Sequence, residues 1–235
     1  MNNKIFSATC IVLIALNGVA NATLIAWNDN IPSSLQPFQN NPQQLANLAQ
    51  DRIFIYSLAP TKISLPTAKN QNPTVTLNTA AVVLPIDMAT AKKTISSYEQ
   101  YVGLFPSLKS AKILEQSGNL TQVKYRVSIP TPIPVLNFNE SVTFQHQLGS
   151  NSLASIVIDG PIPYGAGKFE WFSLGANKTL VTLTQWGDLD QPKGFLISKI
   201  LKTIPEVKQG IPTGTNAFIL ESLRKKVINL KTTTL

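Results

Sequence analysis

The chain has 235 residues, of which 43% are hydrophobic and 14% are charged. This composition excludes a disordered chain and a coiled coil, and 16 Pro and 12 Gly spread along the sequence speak against collagen-like repeats. The net charge of +8 favours acidic partners such as anionic lipid headgroups or nucleic acid. We therefore expect a globular protein with one sizeable core or two small ones.

The N-terminus has the pattern of a signal peptide. Lys4 precedes an apolar run over residues 5–16, and Ala20 and Ala22 supply the small side chains that a signal peptidase requires. The sequence predicts that residues 1–22 are removed, with an uncleaved anchor as the alternative, although the run is shorter than the roughly 20 residues that span a bilayer. We expect a periplasmic or secreted protein, which argues against nucleic acid as a partner.

The counts of reactive side chains limit the chemistry. The single cysteine, Cys10, lies in the predicted signal peptide, so disulfides, thiolate nucleophiles and cysteine-ligated metals are excluded for the remaining chain. With one histidine a serine triad is arithmetically allowed, but no Gly-x-Ser-x-Gly motif occurs to place its nucleophile. The acidic stretch at 188–194 departs from a calcium loop at its Pro and Gly positions. We expect no metal site and no cofactor.

An N-terminal arm is predicted for residues 23–75. Asn41 followed by Pro42 starts a short helix, and two short strands, expected at 52–58 and 61–65, are predicted to form a β-hairpin. The rest of the arm is rich in Asn, Gln and Pro and is predicted to be irregular.

A strand that leads into a helix and then an antiparallel meander are predicted for the middle of the chain. The strand covers 75–86, and Asp87 is the N-cap of a helix over 88–101. Gly118 and Asn119 supply a tight turn between the first two strands of the meander. The meander strands are expected at 109–115, 121–129, 137–148, 153–159, 168–174 and 179–186.

The last third of the chain changes to a helical period. Apolar residues recur at helical spacing between 195 and 204 and again between 219 and 230. Pro205 and Pro212 predict a break between these stretches. A long C-terminal helix lying across a curved antiparallel sheet is the architecture that this order of elements favours.

Four segments, at 80–87, 97–108, 167–172 and 218–225, resemble the START-like superfamily, also called SRPBCC or helix-grip. The resemblance covers roughly residues 78–228 and includes the cyclase/dehydrase-like and coenzyme Q-chaperone-like bacterial members, so a START-like domain is predicted for residues 76–230. It implies an α+β fold in which a curved antiparallel sheet of about six to seven strands wraps around a long C-terminal helix. It also implies a deep apolar cavity between sheet and helix that binds lipids, quinones, sterols or polyketides.

The strand faces that point toward the implied cavity supply the candidate ligand-binding residues. His146 shares an apolar strand face with Phe144 and is a candidate for the cavity mouth, or else a strand-end histidine with a solvent or backbone partner. In the family a loop in this part of the chain helps to close the cavity, so the resemblance implies that residues 161–164 form part of a lid. The cavity candidates are Tyr125, Phe138, Glu140, Phe144, His146, Tyr164, Trp171, Trp186, Ile219 and Leu223.

Glu140 is a carboxylate on this otherwise apolar strand face. It must be paired, for which Arg126 and Lys124 are candidates, or have a raised pKa. As an alternative to a structural partner, it anchors a ligand hydroxyl. Six positions along a strand separate it from His146 by about 20 Å, so the two residues do not form an acid/base pair.

Three functions stay open at the level of sequence. The first is an exported protein that binds a hydrophobic small molecule for carriage or sequestration. The second is a cyclase- or dehydratase-like enzyme on a polyketide or aromatic substrate, with Glu140, Tyr125 or His146 transferring a proton. The third is a filled, ligand-free module whose arm contacts a protein partner. The scarcity of catalytic groups leans against an enzyme, and the oligomeric state is unknown.

Basic residues gather late in the chain beside an apolar helical stripe. Phe195, Lys199 and Lys202 are therefore candidates for peripheral contact with an anionic membrane. A solvated helix face is the alternative interpretation of the same residues.

Overall fold

The computed structural model describes residues 23–105, 107–129, 138–203 and 207–233. The predicted signal peptide lies outside these ranges. None of the described helices is both long enough and apolar enough to cross a membrane. The described strands are β1 (Phe54–Ser57), β2 (Thr61–Lys62), β3 (Thr74–Val75), β4 (Asn78–Leu84), β5 (Leu108–Ser117), β6 (Leu120–Ile129), β7 (Phe138–Leu148), β8 (Ser152–Asp159), β9 (Gly165–Ser173) and β10 (Thr179–Gly187). The described α-helices are α1 (Pro42–Leu48), α2 (Met88–Ser96), α3 (Tyr101–Leu104), α4 (Phe195–Thr203) and α5 (Val207–Thr233).

Eight of these strands form one antiparallel sheet in the order β1-β4-β10-β9-β8-β7-β6-β5, while β2 and β3 pair separately. The long helix α5 packs on this sheet, principally on β4 and β10. The predicted α+β helix-grip fold is thus confirmed, with more strands than the six to seven expected. The additional strand is β1, which comes from the predicted arm and pairs with β4 from Phe54 opposite Ala81 to Ser57 opposite Asn78. The hairpin predicted in the arm is therefore wrong, because β1 and β2 belong to different sheets.

Local hydrogen bonds explain where several elements begin. The Asp87 side chain accepts from the Thr90 amide at 2.9 Å, so it caps α2 as the sequence predicts. Asn41 caps α1 in the same way through the Gln43 amide at 3.0 Å. Gly118 adopts φ +57° in the turn between β5 and β6, a conformation that favours glycine.

Two helix predictions need correction. The helix expected over 88–101 ends at Ser96, because Ser97 leaves the helical region with ψ +72°; a 3₁₀ turn at Tyr98–Gln100 and α3 follow. The break expected near Pro205–Pro212 agrees with two separate helices, since α4 ends at Thr203 and α5 begins at Val207, but Pro212 itself lies inside α5. Pro205 lies outside the described residues. Pro212 is the sixth residue of α5, so only about one turn and a half of helix precedes it.

The main core lies between α2, α3, α5 and the sheet face that they cover, here called the inner face. From the sheet it contains Trp171 and Val181, and the second half of α5 contributes Leu220, Leu223 and Val227, all less than 4% exposed. Burying each large apolar side chain contributes about 1.5–3 kcal/mol, so this half of α5 is firmly attached.

The opposite, outer face of the sheet is covered by the predicted arm. Trp27, Ile31 and Ile63 of the arm form a second buried cluster with outward-facing side chains of the sheet, among them Ile156 and Ala166. A third cluster joins the helix α1 to the outer side of β4 and β10. The central strands are therefore buried on both faces. The domain boundary at residue 75 stays a prediction.

A buried polar network fixes the arm to the outer face. The Lys168 ammonium lies 3.7 Å from Asp29 and 3.9 Å from Glu170, and it also donates to the Ile31 carbonyl. The Glu170 carboxylate accepts from the Ser34 amide at 2.7 Å. Each buried charge thus has an opposite charge or a hydrogen bond, as burial of ionic groups requires.

Two glutamines hold the start of the described chain. The side-chain amide of Gln145 exchanges two 2.7 Å hydrogen bonds with the backbone N–H and carbonyl of Ile25. Gln122 donates to the Thr23 carbonyl at 2.8 Å. Residues directly after the predicted cleavage point are therefore attached to β6 and β7.

Candidate ligand-binding cavity

A partly open cavity of about 350 Å³ lies between the inner face and the first half of α5. Pockets for small organic ligands typically measure roughly 300–1,000 Å³, so this volume is at the small end of that range. The helix residues at its wall include Ile211, Pro212, Thr215 and Ile219. The sheet residues at its wall include Tyr125, Val127, Val142, Phe144, His146, Ser155, Val157, Phe169, Leu183, Gln185 and Trp186.

Three glycines on β9 and β10 lie at the cavity wall, where an added Cβ would come within 2.9–3.2 Å of Ile162, Val157 or Gln185, so the backbone there is closely packed by its neighbours. Gly165, Gly167 and Gly187 all border the cavity, and Gly165 pairs directly with Gly187 across the two strands. Along the same helix, the larger residues Leu220 and Leu223 fill the neighbouring space. The inner layer is thus packed under the second half of α5 and open under the first half.

The wall carries one polar chain that crosses three adjacent strands. The Tyr125 hydroxyl of β6 lies 3.0 Å from Nε2 of His146 on β7. Nδ1 of the same imidazole lies 2.7 Å from Oγ of Ser155 on β8. The antiparallel register places His146 directly opposite Ser155. On β6 the residue opposite His146 is Thr121, four positions from Tyr125, so the long Tyr125 side chain meets the imidazole by extending along the inner face.

His146 is buried and held between aromatic rings. Its imidazole stacks on Tyr98 with ring centroids 4.6 Å apart and is only 5% exposed. Burial lowers the pKa of His146 to about 3, so the side chain is neutral at physiological pH. The interpretation of a strand-end histidine with a solvent or backbone partner is wrong, because both ring nitrogens face side-chain hydroxyls.

Two tyrosines line the cavity beside this histidine. Tyr101 stacks on Tyr125 with centroids 6.1 Å apart, and its hydroxyl donates to the Ile95 carbonyl. Burial raises the pKa of both phenols well above their ordinary value of 10. A general acid or base works best with a pKa near the operating pH, and His146 and the tyrosines are shifted away from it. The arrangement is therefore better suited to hydrogen bonding than to proton transfer.

Glu140 lies on the inner side of β7 but does not line the cavity as described. It sits against Gly194, where an added Cβ would come within 2.8 Å of Oε1. Its Oε2 is buried without a hydrogen-bond partner among the described residues, and desolvation raises the pKa of the carboxyl group. Lys124 and Arg126 are exposed on the other side of β6 and are not its partners.

The structure brings half of the sequence-predicted cavity residues together. Tyr125, Phe144, His146, Trp186 and Ile219 line the cavity, and Trp186 also packs against the outer-face cluster.

Four candidates occupy other positions and one cannot be placed by its side chain. Trp171 and Leu223 are packed in the main core, because the second half of α5 fills the space above them. Tyr164 packs with the outer-face cluster, since it precedes β9 on the side of the arm. Glu140 lies against Gly194, and the side chain of Phe138 lies outside the described residues.

The membrane-contact candidates lie on α4. Lys199 and Lys202 are exposed, and the Phe195 side chain lies outside the described residues. Peripheral contact with an anionic membrane stays a prediction.

Sequence reasoning missed Ser155 and the first half of α5. The signal for Ser155 is its place between the inward-facing Leu153 and Val157 on β8, where a lone hydroxyl interrupts an apolar face. The helix residues were missed because Pro212 was taken as a helix break.

Charged groups are scarce at this wall. Of the described residues that line the cavity, Lys168 alone is charged, and its ammonium binds Asp29 and Glu170 of the outer network. Within the described ranges, no three His, Cys, Asp or Glu side chains converge as metal ligands. The described wall thus presents aliphatic and aromatic surface with a few neutral polar groups.

Comparisons with known proteins returned structural neighbours. No family model and no curated protein sequence matches the chain. It is similar to a START superfamily protein from Mycobacterium smegmatis, at 17% identity and a TM-score of 0.48 over 66% of this chain and 98% of that one. It is also similar to an aromatase/cyclase from Streptomyces sp. R1128, at 16% identity and a TM-score of 0.47 over 63% and 94%.

A STAR-related lipid transfer protein from Xanthomonas axonopodis is a third neighbour, at 14% identity and a TM-score of 0.47 over 74% of this chain and 93% of that fragment. The sequence resemblance and these neighbours concern the helix-grip fold. Identities this low say nothing about which molecule the chain binds or whether it catalyses a reaction.

Proposed function

We propose that this protein is exported and binds a hydrophobic small molecule in the cavity between the sheet and the first half of α5, for carriage or sequestration. The observation that carries the proposal is a partly open cavity of about 350 Å³ whose described wall is mainly aliphatic and aromatic. Transfer of an apolar ligand from water into such a site contributes about 25 cal/mol per Å² of apolar surface that is buried. Export is inferred from the signal-peptide pattern of residues 1–22.

The pKa shifts favour binding over the enzyme alternative. A histidine with a pKa of about 3 is a weak base at neutral pH, and phenols with raised pKa values are weak acids. Glu140, the third proton-transfer candidate, does not line the described cavity. Binding needs none of these groups to ionise.

A neutral fluorescent probe tests the proposal. We expect 1-aminoanthracene to bind the folded protein with one site per chain and with a blue-shifted emission. Val127→Phe places a larger side chain at the cavity wall and should weaken binding at least tenfold. Ile113→Phe is the matched control, because Ile113 is partly exposed on β5 and does not line the cavity.

Equal probe affinity in the two variants would contradict the proposal, as would a wild-type protein that leaves the probe in water. If the probe binds, its displacement by a panel of fatty acids, sterols and aromatic ketones identifies the ligand class.

A further inference from the structure

Together, Tyr125, His146 and Ser155 carry one more hydrogen-bond donor than the two hydrogen bonds between them use. Each hydroxyl brings one O–H, and a neutral imidazole brings one N–H, which makes three donors for the two hydrogen bonds that the chain forms. If Nδ1 carries the hydrogen, it donates to Ser155 and Nε2 accepts from Tyr125, so the Ser155 O–H is left over. In the other tautomer, the Tyr125 O–H is left over.

Among the described residues, no further hydrogen-bond acceptor is found for this remaining hydrogen. The neighbouring Tyr101 hydroxyl donates its own hydrogen to the Ile95 carbonyl. Stacking on Tyr98 keeps the imidazole in the plane that points its nitrogens at Tyr125 and Ser155. All three members of the chain border the cavity, so the free donor belongs to the cavity wall.

The electrostatics of the wall restrict what this donor can meet. The ammonium of Lys168 is bound on the outer face, so no described lining residue offers a free charge to an ionic ligand. A buried donor without a partner costs free energy, which a ligand acceptor at this position would recover.

We propose that the cavity selects a neutral, apolar ligand carrying a hydrogen-bond-accepting oxygen, such as a ketone or ester carbonyl, which receives the spare hydrogen from Tyr125 or Ser155. This inference rests on the proposed binding function and adds the chemical class of the ligand. Tautomer exchange in His146 lets the wall present its donor at either end of the chain, so it accepts the oxygen at two positions.

A pair of isosteric probes tests the inference. The probes are 2-acetylnaphthalene and 2-isopropenylnaphthalene, which differ only in a carbonyl oxygen in place of a CH₂ group. The apolar-wall variant Tyr125→Phe/His146→Leu/Ser155→Ala removes every donor of the chain together, a replacement that folding tolerates better than loss of one partner. Dissociation constants for both probes are measured on the folded wild type and the variant.

We expect the preference for the ketone over the alkene to fall by roughly two- to tenfold in the variant, the amount that one neutral hydrogen bond contributes. Alkene affinity should change little. Ser110→Ala is the matched control, because it removes an exposed hydroxyl from β5, away from the cavity wall, and should leave the preference unchanged.

The outcomes separate this inference from the proposed function. Failure of the alkene to bind wild type would refute the apolar cavity itself, whereas alkene binding with an unchanged ketone preference would refute only the donor. If the variant does not fold, the infrared carbonyl band of the ketone bound to wild type decides. We expect the band to lie below its position in hexane, and an unshifted band would overturn the inference.

Discussion

At the scale of single residues, His146 shows how burial decides what a titratable side chain does. Its alternation with Phe144 placed it on the inner face from the sequence, and the structure agrees. Its partners could not be predicted, because Ser155 and Tyr125 meet it only through the register of three strands and Tyr98 arrives from a 3₁₀ turn. None of these three contacts leaves a periodic signal in the sequence.

The lowered pKa of His146 predicts a pH dependence of stability. The folded-state pKa is about 3, whereas an unfolded histidine has a pKa near 6.5. Below pH 6.5 the unfolded chain gains a proton that the folded protein does not bind, so stability is full above pH 6.5 and falls toward pH 3. This residue should contribute a slope of up to about 1.4 kcal/mol per pH unit within that window.

Urea unfolding of wild type and His146→Gln between pH 4 and 8 measures this contribution. Asp87 and the other carboxyl groups titrate in both proteins, so their effects cancel in the difference. We expect the two stability curves to run parallel above pH 7 and the wild-type curve to fall more steeply below pH 6. Parallel curves throughout would show that His146 is protonated normally in the folded protein.

At the scale of elements, α5 consists of two halves with different roles. The second half is fixed by Leu220, Leu223 and Val227 in the core, and the first half covers the cavity. The first half also contains Gly210, Pro212 and Gly214, three poor helix formers within five residues. Weak local helix propensity over the cavity favours local opening of this half of α5, so we expect it to control exchange of a bound ligand.

Stiffening this half of α5 should slow ligand exchange. An added Cβ meets no atom within 4 Å at Gly210 or Gly214, so Gly210→Ala/Gly214→Ala should stabilise the helix by about 0.5–1 kcal/mol per site. Stopped-flow release of 1-aminoanthracene should become slower in this double variant. Gly103→Ala in α3 is the control, because its Cβ also meets open space and it does not line the cavity.

Unchanged release in the double variant, with the expected gain in thermal stability, would show that ligands enter by another route.

The periodicity of apolar residues predicted the apolar halves of the C-terminal region correctly. It failed at Pro212 because the cost of proline depends on its distance from the helix start, and sequence reasoning placed that start too late.

At the scale of the whole molecule, the arm makes the sheet an interior layer. Alternation along the strands predicted the inner face, and the helix-grip order followed from the sequence of elements. The position of the arm could not be predicted, because its contacts join residues far apart in the chain, as Ile25 and Gln145 do across 120 positions. The pairing of Lys168 with Asp29 is similarly long-range and has no local signal.

Coverage of the sheet on both faces limits which wall of the cavity can move. The outer face of the sheet is packed against the arm and held by buried hydrogen bonds, so we expect the sheet to be the rigid wall of the cavity. The first half of α5 is then the wall that we expect to move when a ligand binds. The empty space is then a built feature of the fold and not a sign of loose packing throughout the molecule.

Native mass spectrometry of the protein purified from its own host tests the central claim most directly. We predict a discrete added mass that recurs between preparations, disappears on denaturation and is identified as a neutral apolar molecule with an acceptor oxygen. The Val127→Phe variant, expressed in the same host, should lack this mass, while Ile113→Phe should retain it. A bare polypeptide mass in wild type, together with no uptake of added apolar ligands, would contradict the account.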